Sequence, residues 1–233
     1  MPKLSIISNF YNCEEMAQKQ VENWKNLPAA ILEQVEFILV DDCSDKIPDI
    51  SPGPLNLRLF RVISDIPWNL TGARNLGAFN ATGDWSLFFD IDQYIFPEAL
   101  ASLTHSIQTL DAKTLYYLRI KELINIQTGA SLHSAPSTML VNTKRFRTHG
   151  MFDEDFAGYY GYEDIFAAYV WETNGGRREL ISTPVFFEDM GFGTTGLDRD
   201  VERNKALLSN KLATNCQNSP GILRFIWKEI ELA

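Results

Sequence analysis

The chain has 233 residues, 45% of them hydrophobic and 22% charged, with a formal net charge of −9. That length suffices for one generous domain with a substantial core. The acidic balance excludes a nucleic-acid binder, which needs a basic stripe to offset phosphates, but it leaves room for a nucleotide met locally by a metal and one or two basic side chains. Cys13, Cys43 and Cys216 are odd in number with no CxxC pair, and His105, His133 and His149 lack metal-type spacing. Reduced thiols in a cytoplasmic protein are the simplest reading. The opening MPKLSIISNF does not read as a signal peptide, and no stretch approaches the ~20 apolar residues of a membrane helix. Asn69 and Asn80 each open a glycosylation sequon, which carries no meaning in a cytoplasmic protein.

In chain order, LSIIS (4–8) reads as a strand and is followed by a helix with Ala17, Val21, Trp24 and Leu27 on one face. EFILVD (36–41) is a buried strand, and LRLFRVI (57–63) is another beyond a Pro/Gly-rich loop. A helix of small residues spans about 72–82, with Gly83 placed to end it. WSLFFD (85–90) is the next strand, and Pro97 then opens a helix whose buried stripe is Leu100, Leu103, Ile107 and Leu110. From Lys113 the pattern changes to strands TLYYLRIKE and STMLVN, a glycine- and acid-rich turn, a helix through Trp171 and the strand TPVFFED. The glycine-rich 190–200 has no periodicity and reads as mobile. Two closing helices are expected, the last with Leu223, Ile226, Trp227 and Ile230 on its apolar face. That face suits packing on the domain or lying on a membrane surface, and the acidic charge favours packing. No linker or repeat interrupts the chain.

The early order predicts an α/β fold with a mostly parallel sheet covered on both faces. Such sheets bind ligands beyond the carboxyl ends of their strands, where Asp41, Asp42, Asp90 and Asp92 fall. Asp90 and Asp92 flank Ile91, and positions i and i+2 of a strand share a face, so their carboxylates would converge on a hard divalent ion such as Mg²⁺ or Mn²⁺. The alternative is a solvated strand end. Asp41 and Asp42 suit a ribose or base hydrogen bond, or equally a turn. Arg74 lies one turn into a helix aimed at the strand ends, where a guanidinium can bind a diphosphate or a base carbonyl. Glu163 and Asp164 open a helix after GYYGY, a segment whose tyrosines could stack on a pyranose.

The ordered set SIISNFYN, EFILVDDCSD, GARNLGAFNATGDWSLFFDIDQ and GMFDEDFAGYYGYEDIF resembles the GT-A glycosyltransferases. The likeness is to their inverting family 2 group, with affinity to its chondroitin-polymerase and galactosyltransferase-like branches. RNKALLSNK (203–211) is similar to that family's closing helix. The resemblance implies a single domain over 1–233 with a Rossmann-like, mostly parallel sheet. Residues 1–112 would form a nucleotide-sugar-binding half, and 113–233 a smaller mixed-strand acceptor half with 190–200 as a lid. It implies that Ser8, Phe10 and Asp41 or Asp42 border the nucleoside, that Arg74 sits near the base or diphosphate, and that Asp90 approaches the ribose or sugar. Asp92, with Asp90, would hold Mn²⁺ or Mg²⁺. Asp164 would be the general base, Glu163 would hold a sugar beside it, and Tyr160 stands where relatives carry tryptophan. The family's histidine ligand is missing from TPVFFEDMGFG, so Glu188 or Asp189, or water, would complete the shell. The implied donor is a UDP-linked sugar and the acceptor a saccharide or lipid-linked glycan. A catalytically silent nucleotide-sugar-binding module is the alternative, suggested by the missing histidine. A sugar nucleotidyltransferase ranks last, for want of an early glycine-rich triphosphate loop.

Overall fold

The computed structural model describes residues 3–120, 123–125, 131–132, 137–185, 188–189, 198–218 and 221–232. The proposed lid lies outside them from 190 to 197.

The framework is an eight-stranded sheet in the order β11-β3-β2-β1-β4-β8-β5-β9. Its parallel centre comprises β1 (Leu4–Phe10), β2 (Val35–Asp41), β3 (Leu57–Val62) and β4 (Trp85–Phe88). Every residue of β2 is buried, as expected of a parallel strand covered on both faces. The mixed part comprises β5 (Thr114–Ile120), β8 (Met139–Asn142) and β9 (Arg177–Val185). There β8 runs antiparallel to both β4 and β5, while β9 runs parallel to β5. A small second sheet joins β6 (Leu123–Asn125), β7 (Ser131–Leu132) and β10 (Glu188–Asp189).

Alternation along the strands builds a core on each face of the large sheet. Leu4 and Ile6 of β1 face one cluster, together with Trp24 of α1 (Glu14–Lys25) and Leu100 of α4 (Pro97–Ser106). Ile7 faces the other, with Leu76 of α3 (Leu70–Asn80), Phe146 of α5 (Thr143–Thr148) and Trp171 of α6 (Glu163–Thr173). Short α2 (Ala29–Leu32) precedes β2. The small residues of α3 permit a close approach: a Cβ on Gly77 would lie 2.3 Å from Ile7 Cγ2.

Three expectations need correction. β4 stops at Phe88 and not at 90, so Asp90 and Asp92 lie in the turn beyond the strand, and i, i+2 alternation does not align them. Gly83 does not end α3, because the helix closes at Asn80 with Ala81 already extended. Gly83 is small for another reason: a Cβ there would meet the Ser5 backbone nitrogen at 2.7 Å.

The third correction concerns the C-terminus. Only one closing helix forms, α7 (Glu202–Ala213), and the second is the strand β11 (Trp227–Ile230), antiparallel to β3 at the sheet edge. Trp227 meets Phe60 edge-on at 5.9 Å on one face, and Ile230 packs on the opposite cluster. A period of two, and not 3.6, therefore governs these residues, and the amphipathic helix offered for a membrane surface does not exist. Among the described residues no helix is long and apolar enough to cross a membrane.

Candidate active site

The chain runs β1 to β2 to β3 in one direction across the sheet, then returns to place β4 on the other side of β1. At such a reversal open α/β sheets hold their ligands outside the carboxyl ends of the strands, here β1 and β4. Of the predicted residues, Arg74, Asp90, Glu163 and Asp164 share one electrostatic neighbourhood.

Arg74 projects from α3 and is 1% exposed. Its Nη2 donates to Asp90 Oδ1 at 2.8 Å, while its Nη1 is buried with no hydrogen-bond partner. The other oxygen of Asp90 accepts from Ser137 Oγ at 2.6 Å and from Gln93 Nε2 at 3.3 Å. Glu163, buried at the start of α6, feels both members of this pair. Burial, with the charge of Asp164 and to a lesser extent Asp90, pushes its carboxyl up to about 7, and Arg74 opposes the shift. A strand-end pair and a helix about seventy residues later thus share one electrostatic environment. Asp164 is partly exposed, and its Oδ1 accepts from the Ile165 N–H at 2.7 Å.

Asp41 and Asp42 divide their work. Asp41 pairs with Arg61, its cross-strand neighbour on β3, and accepts from the Ser44 N–H at 2.8 Å. Asp42 accepts from Asn69 Nδ2 at 2.9 Å. Its burial pushes its carboxyl up to about 7, opposed by that hydrogen bond and aided by the charge of Asp41. Ser8 is fully buried, and its Oγ has no partner. Phe10, 2% exposed, belongs to the core cluster that includes Met16 of α1. Tyr160 packs against Trp68 with ring centroids 4.7 Å apart, and Arg199 lies over its ring at 5.6 Å.

The two acids of the D-I-D segment turn to different neighbours. Asp90 faces α3, whereas Asp92 and Asp41 both act on the Cys13 thiol at the start of α1, whose raised pKa is due first to burial. Among the described residues no three His, Cys, Asp or Glu side chains are grouped to hold a metal ion. Glu188 and Asp189 form β10, but their side chains lie outside the described residues. Asp90 and Asp92 supply oxygen donors of the kind that Mg²⁺ and Mn²⁺ accept.

Sequence reasoning missed the partners that hold these groups. Asn69, marked only as a sequon, is 1% exposed and committed to Asp42. Ser137 reads in the sequence only as the first residue of the strand STMLVN. The FDEDF turn (152–156) is a structural hub. Glu154 accepts from Asn75 Nδ2 at 2.9 Å and from the N–H groups of Leu223 and Arg224 at 2.7 and 3.0 Å. Lys211 bridges Asp153 and Asp155 at 2.8 and 2.9 Å.

A mostly parallel sheet whose strand order reverses beside β1 places the protein among the open α/β folds, which hold ligands beyond their strand ends. Within that class the profile of Glycosyl transferase family 2 matches residues 5–161, and the chain belongs to that family. Among solved structures it is similar to S. aureus TarS 1–349 in complex with UDP-GlcNAc, at 18% identity and a TM-score of 0.63, covering 83% of this chain and 62% of that one. TarS 1–349 in complex with UDP gives 18% identity and a TM-score of 0.61, covering 80% and 60%. The chain thus spans about three-fifths of the length of these TarS chains, and at this identity the likeness is one of fold. The sequence matches none of the curated proteins with which it was compared.

Proposed function

We propose that the protein is an inverting glycosyltransferase that moves a hexosyl or N-acetylhexosaminyl group from a UDP-linked donor to a hydroxyl of a saccharide or lipid-linked acceptor. One observation supports this reading: the Arg74–Asp90 pair, formed in the first half of the chain, acts electrostatically on Glu163 in the second. UDP-GlcNAc and UDP in the TarS structures support the donor class.

In this reading residues 1–112 bind the nucleotide. Ser8 and Asp42 meet the nucleoside over a floor that includes Phe10, and Asp41 holds Arg61 in place. Arg74, with one guanidinium nitrogen already on Asp90 and another buried without a partner, binds diphosphate oxygens. Residues 113–233 bind the acceptor, with Tyr160 against the sugar. Asp164 at the start of α6 takes the proton of the attacking hydroxyl, and Glu163 beside it hydrogen-bonds a sugar hydroxyl. One base on one face of the sugar gives in-line displacement with inversion, so an α-linked donor yields a β-linked product. A divalent ion held by Asp92 with Asp90 would neutralise charge on the departing diphosphate.

The test is UDP release from a panel of UDP-sugars, with and without Mn²⁺. Turnover that stops in Asp164→Asn and in Asp92→Ala supports transfer. UDP binding without turnover for any donor would instead make the chain a silent nucleotide-sugar-binding module.

A further inference from the structure

We infer that α7 is a splint for the loop that delivers Glu163 and Asp164, and that Asn204 is its positioning residue; the inference rests on the glycosyl-transfer reading above. Asn204 is fully buried. Its Nδ2 directs its two N–H bonds at three carbonyls of one loop, one N–H being shared between two acceptors: those of Phe156, Tyr159 and Gly161 lie at 3.0, 2.8 and 3.0 Å. Its Oδ1 accepts from Arg203 Nη1 at 2.6 Å, and the same nitrogen donates to the Asp155 carbonyl at 2.7 Å. Two helical turns further on, Lys211 grips Asp153 and Asp155. One helix face therefore fastens both ends of the 153–161 segment.

The composition of that face argues for a positioning role. The buried residues of α7 are Asn204, Leu208 and Lys211. A helix that only covers a core needs an apolar stripe, and burying an amide and an ammonium is costly unless each is paired. Here both are paired, and the acceptors of the Asn204 amide nitrogen and the carboxylates of Lys211 lie in the 153–161 segment.

The loop needs such support. Gly158, Gly161 and Tyr162 have φ of +94°, +84° and +72°, in the left-handed region. Tyr162 is the N-cap of α6 and makes no side-chain capping bond. A Cβ on Gly158 would touch nothing within 4 Å, so the positive φ and not crowding accounts for glycine there. Asn204 supplies hydrogen bonds that hold this backbone. An error of about 1 Å in a reacting group costs on the order of 100-fold in rate, so a loosened loop should impair transfer while leaving the nucleotide half intact.

The experiment compares Asn204→Ala and Asn204→Ser with the wild-type chain, using Lys205→Ala on the exposed side of α7 as control. Three quantities are measured: UDP affinity by calorimetry, UDP release from UDP-sugars, and amide hydrogen exchange across 156–164. The expected result for Asn204→Ala is unchanged UDP affinity, turnover lower by ~10–100-fold and faster exchange in 157–162 with α3 unaffected. Asn204→Ser, which keeps one donor, should fall between the two, and Lys205→Ala should match wild type. Wild-type turnover and exchange in Asn204→Ala would overturn the inference. So would a loss of UDP affinity as large as the loss of turnover, since that marks general loosening. If the wild-type chain releases UDP from no donor, the glycosyl-transfer reading fails, and the exchange data still decide whether Asn204 holds the loop.

Discussion

Two of the charge clusters among the described residues are built on opposite terms. In the hub, Asp153, Glu154 and Asp155 face Lys211, Arg224 and Asn75, with two backbone N–H groups closing the set. In the candidate site, Arg74 keeps a buried nitrogen without a partner, and burial pushes Glu163 and Asp42 up to about 7. A satisfied cluster is a fastener. One with unmet donors and perturbed acids is disposed to receive a ligand. Asp, Glu and Arg alone do not separate structure from function here; completeness of pairing does.

Substitutions in the two clusters should therefore damage different properties. The largest effect is expected from Asp164→Asn, which should lower UDP release from a UDP-sugar by ~10²–10⁴-fold while leaving UDP affinity and the unfolding midpoint near wild type. A midpoint that falls with the activity would put this acid among the fasteners. Lys211→Met should instead lower the unfolding midpoint. It leaves Asp153 and Asp155 short of their shared cation, and breaking a buried pair costs about 3–5 kcal/mol, read from urea unfolding. Full stability in that variant would remove the hub from the account.

The pH dependence of stability sharpens the contrast. The folded pKa of Glu163 is about 7, against an ordinary 4.5, so between those values the folded chain holds more protons than the unfolded one. Stability from this group is fully present below the lower value and is lost as pH rises through the higher one. Asp42 has the same sign, between 3.8 and about 7. Glu163→Gln should remove its share of that decline, about 2–3 kcal/mol at most, and urea unfolding from pH 5 to 8 measures it. Parallel curves for the two proteins would show that Glu163 is not held in a desolvated site. The smallest effect is expected from Gly83→Ala, away from both clusters. Its Cβ would press on the Ser5 backbone nitrogen at 2.7 Å, an overpacking cost of about 1–3 kcal/mol with no loss of UDP affinity.

Much of the parallel half was legible because its signals are local. Continuous apolar runs mark β1, β2 and β4, and the stripes Ala17–Val21–Trp24 and Leu100–Leu103–Ile107 mark α1 and α4. The placement of acids beyond strand ends was readable for the same reason. The C-terminus misled because Leu223, Ile226, Trp227 and Ile230 are spaced as in a helix, while pairing with β3 decided the outcome. Propensity yields to such tertiary context. The supporting residues were illegible for a related reason. Asn69, Ser137 and Asn204 acquire meaning only through partners 27, 47 and 43–48 residues away, and no spacing rule links such positions.

The central claim is that the nucleotide binds beyond the carboxyl ends of β1 and β4, with its diphosphate at Arg74 and its sugar toward Glu163. A crystal structure of the chain with UDP-GlcNAc and Mn²⁺ tests it most directly. The account expects the base at Asp42, the diphosphate within hydrogen-bonding distance of Arg74 Nη1 and the sugar between Asp90 and α6. Nucleotide bound elsewhere on the molecule, with Arg74 still bonded only to Asp90, would contradict it.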